Sequence, residues 1–142
     1  MPPLQDEDAR QFVADRHWGV LVTLKSDGRP QLSNVAYAVI DGQVRVSLTD
    51  SRAKTANLRN DPRVSLHVTS DDFWTYVVVE GTAALSPVAS EPGDETCRRL
   101  LETYEAVSGQ PHDDPDEFHA AMVDEGRLEL SFALDYLYPT RD

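Results

Sequence analysis

Little in this chain of 142 residues could cross-link it, chelate a metal or carry it through a membrane. Its one cysteine, Cys97, has no partner for an internal disulfide, and with no second Cys or close His/Cys cluster there is no zinc-ligand spacing. The four histidines, His17, His67, His112 and His119, also lack ligand spacing and read as surface or strand residues, so no metal is expected. Apolar runs reach only a few residues, far short of the roughly 20 that a spanning helix needs. The first residues, MPPLQDEDARQF, are acidic where a secretory signal has a basic start and an apolar stretch, which makes a cytoplasmic location the expectation. Positive charge is scarce as well: 13 Lys and Arg stand against 25 Asp and Glu, for a net charge of -12. Such a surface repels a phosphate backbone and argues against a nucleic-acid partner. GxGxxG, Walker A and GxSxG motifs are all missing.

What is present fits a globular protein, with 40% hydrophobic and 27% charged residues. The length suits one domain, residues 1–142, with a sizeable core. Charge is unevenly spread. Residues 87–125 carry 11 Asp or Glu against Arg98 and Arg99, whereas the 14 residues DSRAKTANLRNDPR, 50–63, hold four of the 13 basic residues.

β-Branched and aromatic runs separated by Ser26-Asp27-Gly28 and Asp41-Gly42 predict three antiparallel strands, residues 19–24, 30–40 and 43–49, because Asp-Gly supplies the positive φ of tight hairpins. In the third, Val44, Val46 and Leu48 alternate with Arg45, Ser47 and Thr49, the pattern of one buried face. Residues 63–69 repeat that alternation. Residues 73–85 read as a long strand bent at Gly81, and residues 127–138 as a last strand. Helices are expected at 6–16, with Phe12 and Val13 inward, at about 50–60, and at 91–108, where Leu100, Leu101, Tyr104 and Val107 recur at spacings of three and four. A further helix falls at 116–124. The result is a mainly β chain with peripheral helices (α+β), six mostly antiparallel strands that close most economically as a small barrel.

Asp50 or Ser51 is the natural N-cap of the basic helix. Arg52 and Lys54 then fall where the positive end of the helix dipole disfavours cations by roughly 0.3–1 kcal/mol each. Either an anion docks there on free N–H groups and two cationic side chains, or both side chains simply extend into solvent. Gln31 and Ser33 share one strand face, with Leu32 and Asn34 on the other. An amide and a hydroxyl side by side suit the polar edge of a heterocycle, and they suit an exposed strand equally. Phe73, Trp74 and Tyr76 could pack a ring, the core or a second subunit. No constellation stands out as catalytic, so redox chemistry would fall to a bound cofactor.

The stretches GVLVTLKSDGRPQLSNVAY, VRVSLTDSRAKTANLRNDPRVSLHV and DDFWTYVVVEGTAAL resemble the split β-barrel flavin and deazaflavin proteins related to pyridoxamine 5′-phosphate oxidase, and most closely the actinobacterial coenzyme F420-dependent branch. The resemblance implies a six-stranded antiparallel split β-barrel of the FMN-binding type, assembled as a homodimer with a cofactor in each groove between subunits. It implies that Arg52, Ala53 and Lys54 bind the phosphate-bearing part of the cofactor, with Asn57 nearby, and that Gln31, Ser33, Asn34 and Ser47 approach the ring system or proximal chain. Trp74 and Tyr76 would line the pocket, and Arg63 is a weaker candidate. The implied activity is hydride transfer from reduced F420 to a small organic substrate. FMN as cofactor, and a non-catalytic F420 carrier or sensor, remain the alternatives. No catalytic residue is assigned.

Overall fold

The structure, a computed structural model, describes residues 4–141. Their order is β1 (Leu4–Gln5), α1 (Asp6–Ala14), β2 (Trp18–Leu24), β3 (Pro30–Ala36), β4 (Ala38–Ile40), β5 (Gln43–Thr49), α2 (Ala53–Asn60), β6 (Arg63–Thr69), β7 (Tyr76–Thr82), β8 (Ala84–Leu85), α3 (Glu95–Ser108), α4 (Pro115–Asp124), β9 (Arg127–Ala133), β10 (Tyr136–Tyr138) and β11 (Thr140–Arg141). Two antiparallel sheets dominate, ordered β10-β7-β6-β2-β3 and β4-β5-β9-β8, and β1 pairs with β11 in a short parallel ribbon. The chain is mainly β with helices at the periphery. No helix is long and apolar enough to cross a membrane among the described residues.

Both Asp-Gly turns behave as their composition requires. Asp41 and Gly42 both take positive φ, 53° and 74°, and join Ile40 to its partner Gln43 in a two-residue hairpin. Gly28, at φ 88°, closes the longer β2–β3 turn.

Six long segments are recognisable, but three are divided between the sheets. Residues 30–40 break at Tyr37, whose amide donates to the His17 carbonyl at 2.8 Å and whose hydroxyl donates to the Val13 carbonyl at 2.6 Å. Residues 127–138 break after Ala133. The segment expected at 73–85 starts only at Tyr76, because Phe73 adopts a turn with φ 80° held by Ser70 and Asp72. It then leaves one sheet after Thr82 and enters the other at Ala84, with its pairing slipping one residue between Glu80–Tyr136 and Ala84–Ser131. A Cβ on Gly81 would lie 3.0 Å from a ring carbon of Phe132 and 3.2 Å from the Ala133 carbonyl, so a larger residue just before the crossing would force Phe132 to shift by a few tenths of an ångström.

The core lies between the sheets: Leu21, Val46, Leu48, Leu66, Val77, Val79, Leu130 and Phe132 are all buried. Full burial of each such side chain is worth about 1.5–3 kcal/mol. Alternation fails on β5 and β9, where Arg45, Glu129 and Ser131 are buried too. Arg45 was expected outward on a one-faced strand, but α3 packs across that second face, so both faces of β5 and β9 are covered. The α3 stripe is also rotated from expectation. Thr96, Cys97, Leu100 and Thr103 face inward while Tyr104 is exposed.

Helix ends are set by named caps. α3 starts at Glu95 rather than 91, because Asp94 is its N-cap and takes the Cys97 amide at 2.8 Å. Burial pushes the Asp94 carboxyl up, but donation from the Ser90, Cys97 and Glu91 amides outweighs it and holds the group well below the usual carboxylate range. Gly109, left-handed at φ 75°, ends the helix. Asp114 caps α4 in the same manner. Burial pushes the Cys97 thiol up, in keeping with an inert interior cysteine.

Candidate functional site

The basic stretch folds as α2 because Thr55 and Leu58 bury against the sheet and Pro62 stops the helix after Asp61. Its start differs from the sequence reading. Arg52, not Asp50 or Ser51, occupies the N-cap with extended backbone, and no side chain caps the helix. Asp50 is unavailable because its carboxylate holds Arg59 at 2.6 Å, nine residues along. Arg63 is likewise paired, to Asp61 at 2.8 Å. Among the described residues no ion pair engages Arg52 or Lys54. Burial holds the Lys54 ammonium below its ordinary pKa, and the charges of Arg52 and Arg127 push the same way. An exposed guanidinium, a half-buried ammonium and an uncapped helix start therefore converge on a spot lacking a counter-ion.

A polar chain runs from α2 into β3. Asn57 Nδ2 donates to Thr23 Oγ1 at 3.2 Å, the Thr23 hydroxyl donates to Gln31 Oε1 at 3.1 Å, and Gln31 Nε2 donates to Ser33 Oγ at 3.0 Å. Thr23 and Gln31 meet because β2 and β3 pair in that register, and both face α2. The sequence reading named Gln31, Ser33 and Asn57 but passed over Thr23. The available signal was a hydroxyl in the inward slot after Leu21, where the alternation asks for an apolar side chain.

Ser47 stands at a second polar point, 3.5 Å from Arg127 Nη1. Arg127 opens β9 and is steadied by Glu125, 3.0 Å from its Nη2. Nothing in its local sequence distinguishes it, since only the β5–β9 pairing brings it to Ser47. Both residues edge a cavity of about 240 Å³ whose other walls include Leu100, Phe118 and Met122. A larger cavity, about 430 Å³, lies apart, between β8 and the start of α3, beside Arg99 and Glu129.

The remaining candidates sit elsewhere. Asn34 lies on the opposite face of β3 from Gln31 and Ser33, beside exposed Leu32. Trp74 is 74% exposed in the β6–β7 connection, and Tyr76 stacks on His67 at 5.2 Å on the outer face of the five-stranded sheet. That face also carries Trp18, 80% exposed, with Tyr136 and Tyr138. Ala53 is exposed at the first position of α2. No cluster of His, Cys, Asp and Glu among the described residues could hold a metal ion.

A family model described as pyridoxamine 5'-phosphate oxidase matches residues 5–129. The fold is similar to that of a conserved hypothetical protein from Mycobacterium tuberculosis, with TM-score 0.74 and 26% identity over 94% of this chain and 82% of the other. It is also similar to an F420 reductase, with TM-score 0.67 and 21% identity over 96% and 98% of the two chains. A heme binding protein from Mycobacterium smegmatis shares the fold at TM-score 0.64 and 24% identity, over 93% of this chain and 52% of its own length.

Proposed function

Because the chain belongs to the pyridoxamine 5'-phosphate oxidase family, we propose that the start of α2 and the Gln31–Ser33 face of β3 bind a phosphate-bearing flavin-type cofactor, coenzyme F420, and that the protein is an F420-dependent oxidoreductase acting on a small organic substrate. The observation that carries this reading is the contrast within the basic stretch, residues 50–63. Arg59 and Arg63 are neutralised by Asp50 and Asp61, whereas Arg52 and Lys54 at the uncapped start have no counter-ion among the described residues. A phosphodiester supplies the missing charge and accepts the free amides. The Gln31–Ser33 face, on the same side as Asn57, supplies polar contacts to a ring. When bound and reduced, the deazaflavin supplies a hydride from its C5 to an electrophilic carbon. The chain's own part is to hold the phosphate, orient the ring and keep water out.

On this reading the six long segments act as a split barrel. Each pairs with two others, since β4 and β5, β5 and β9, and the continuing strands β7–β8 and β9–β10 link the sheets edge to edge. The working unit is a homodimer. Trp18, Leu32, Tyr136 and Tyr138 give the outer face of the five-stranded sheet an apolar surface of the kind that a second copy covers. Asn34 and Tyr76, on the outer face of the five-stranded sheet, and exposed Trp74 then become available to the partner's site.

Side-by-side titration with F420 and FMN tests the cofactor. Binding of F420 in preference to FMN is expected; preference for FMN reassigns the cofactor, and failure of both removes the reading. Consumption of reduced F420 with a panel of enones, quinones and nitroaromatics separates a reductase from a carrier, since a carrier binds without turnover. For the assembly, sedimentation should give a dimer for the native chain and a monomer for Trp18→Glu combined with Leu32→Glu. A monomeric native chain would refute the interface.

A further inference from the structure

Between α3, α4 and the strands β5 and β9 lies the cavity of about 240 Å³, apolar inside and cationic at one edge. Leu100, Phe118 and Met122 wall it, and the Tyr104 ring, packed on Phe118 at 5.4 Å, completes that side. Thr103 also lines it, but its hydroxyl is spent on Glu129 at 2.7 Å. Such walls give water few partners and suit an apolar body. The volume is below the roughly 300–1,000 Å³ of pockets that take drug-sized ligands, so that body is small, about one ring in size. Arg127 stands at the edge with one nitrogen unspent. Glu125 takes its Nε and Nη2 on a single oxygen, both at 3.0 Å. Among the described residues Nη1 meets only Ser47 Oγ, at 3.5 Å, longer than an ordinary hydrogen bond, and the Ser47 hydrogen has no acceptor. Glu129, opposite Ser47 on β9, is held by Arg99 and Thr103 and does not compete for Arg127.

We infer that this cavity binds a small apolar carboxylate, its ring or short chain among Leu100, Phe118 and Met122 and its oxygens on Arg127 Nη1 and the Ser47 hydroxyl. Two donors match the two oxygens of a carboxylate. The edge belongs to the same corner of the fold as the start of α2. Arg127 pairs with Thr49, the Thr49 carbonyl accepts the Arg52 amide at 3.1 Å, and the Asp50 amide donates to the Gly126 carbonyl at 2.9 Å. Lys54 feels the charge of Arg127, so that charge acts beyond its pair with Glu125. The inference rests on the reading of the protein as an F420-dependent oxidoreductase and adds the class of its organic substrate: an apolar acid, and not an amine or an uncharged ketone.

Calorimetric titration of the full-length protein with benzoate and cinnamate, with their uncharged amides, and separately with F420 and inorganic phosphate tests this. At least one of the two acids should bind, and its amide about tenfold or more weakly. Arg127→Met should lower acid affinity by a similar factor, and Met122→Trp, which fills the cavity, should abolish it; F420 and phosphate affinities should stay near native in both. Thermal melting shows that each variant is folded, and Met122→Phe replaces Met122→Trp if the latter is not. Binding of neither acid by the native chain, equal binding of acid and amide, or native acid affinity in either folded variant overturns the inference. A loss of F420 or phosphate affinity in Arg127→Met overturns it as well, in favour of Arg127 as part of the phosphate site. The F420 titration of the native chain judges the cofactor reading apart from this: acid bound with no binding of F420 supports the carboxylate cavity and removes the cofactor.

Discussion

Arg52→Ala combined with Lys54→Ala should weaken cofactor binding by about 100-fold or more while leaving the fold as stable as before. A hydrogen bond to a charged partner is worth about 1.5–3 kcal/mol, and each side chain offers at least one to a phosphate. The free protein loses nothing in exchange. Neither residue is in an ion pair among the described residues, and cations beside a helix start are unfavourable by roughly 0.3–1 kcal/mol each. Arg59→Ala is the control: its guanidinium is committed to Asp50, so binding should stay near native. Isothermal titration and thermal melting on the three proteins would check this. An unchanged affinity in the double variant would sink the site. The pH dependence has a definite sign as well. The lowered Lys54 pKa means that its proton is lost earlier than from an ordinary lysine as pH rises. Anion affinity should therefore fall through that alkaline window, and in Lys54→Arg it should not.

Arg99→Met should cost about 3–5 kcal/mol of folding stability, a large share of the roughly 5–15 kcal/mol available to a domain of this size. The reason is Glu129, whose side chain is fully buried on β9. Arg99 holds it through two nitrogens, Nε at 3.0 Å and Nη2 at 2.9 Å, and Thr103 donates at 2.7 Å. Arg45 is a poor substitute. Its Nε lies 3.9 Å away without a hydrogen-bond partner, and its Nη1 is engaged by Glu102. Without Arg99 the carboxylate is a nearly uncompensated interior charge, and removing it as well, in Arg99→Met with Glu129→Leu, should recover most of the loss. Chemical denaturation measures both. If the single variant lay within about 1 kcal/mol of native, the network would be decorative.

That network marks where sequence reading stopped. Val64, Leu66 and Val68 declare their strand because one neighbouring sheet decides their fate. Arg45 and Glu129 look like outward residues by the same rule, and only the packing of α3, which begins fifty residues after Arg45, makes their face interior. The α2 cap was misread for a similar reason, since Asp50 is a good cap until Arg59 claims it. The turns at Gly28 and at Asp41-Gly42 were legible because backbone sterics are local. The candidate site was legible in part. Gln31, Ser33 and Asn57 are one hydrogen-bonded set, but its buried member, Thr23, looks like any strand threonine until the register of β2 on β3 is known. Arg127 gave no local signal at all.

The three divided segments, 30–40, 76–85 and 127–138, each give residues to both sheets. Two sheets that merely stack can slide over one another, the small shear by which many clefts open. Here any such slide would bend covalent backbone at three corners at once, including the one just after Gly81, where an added Cβ would lie 3.0 Å from a ring carbon of Phe132. The two sheets are thereby braced against one another by continuous backbone. Any widening of the space beside α2 must then come from side chains and loops and not from a slide of the sheets.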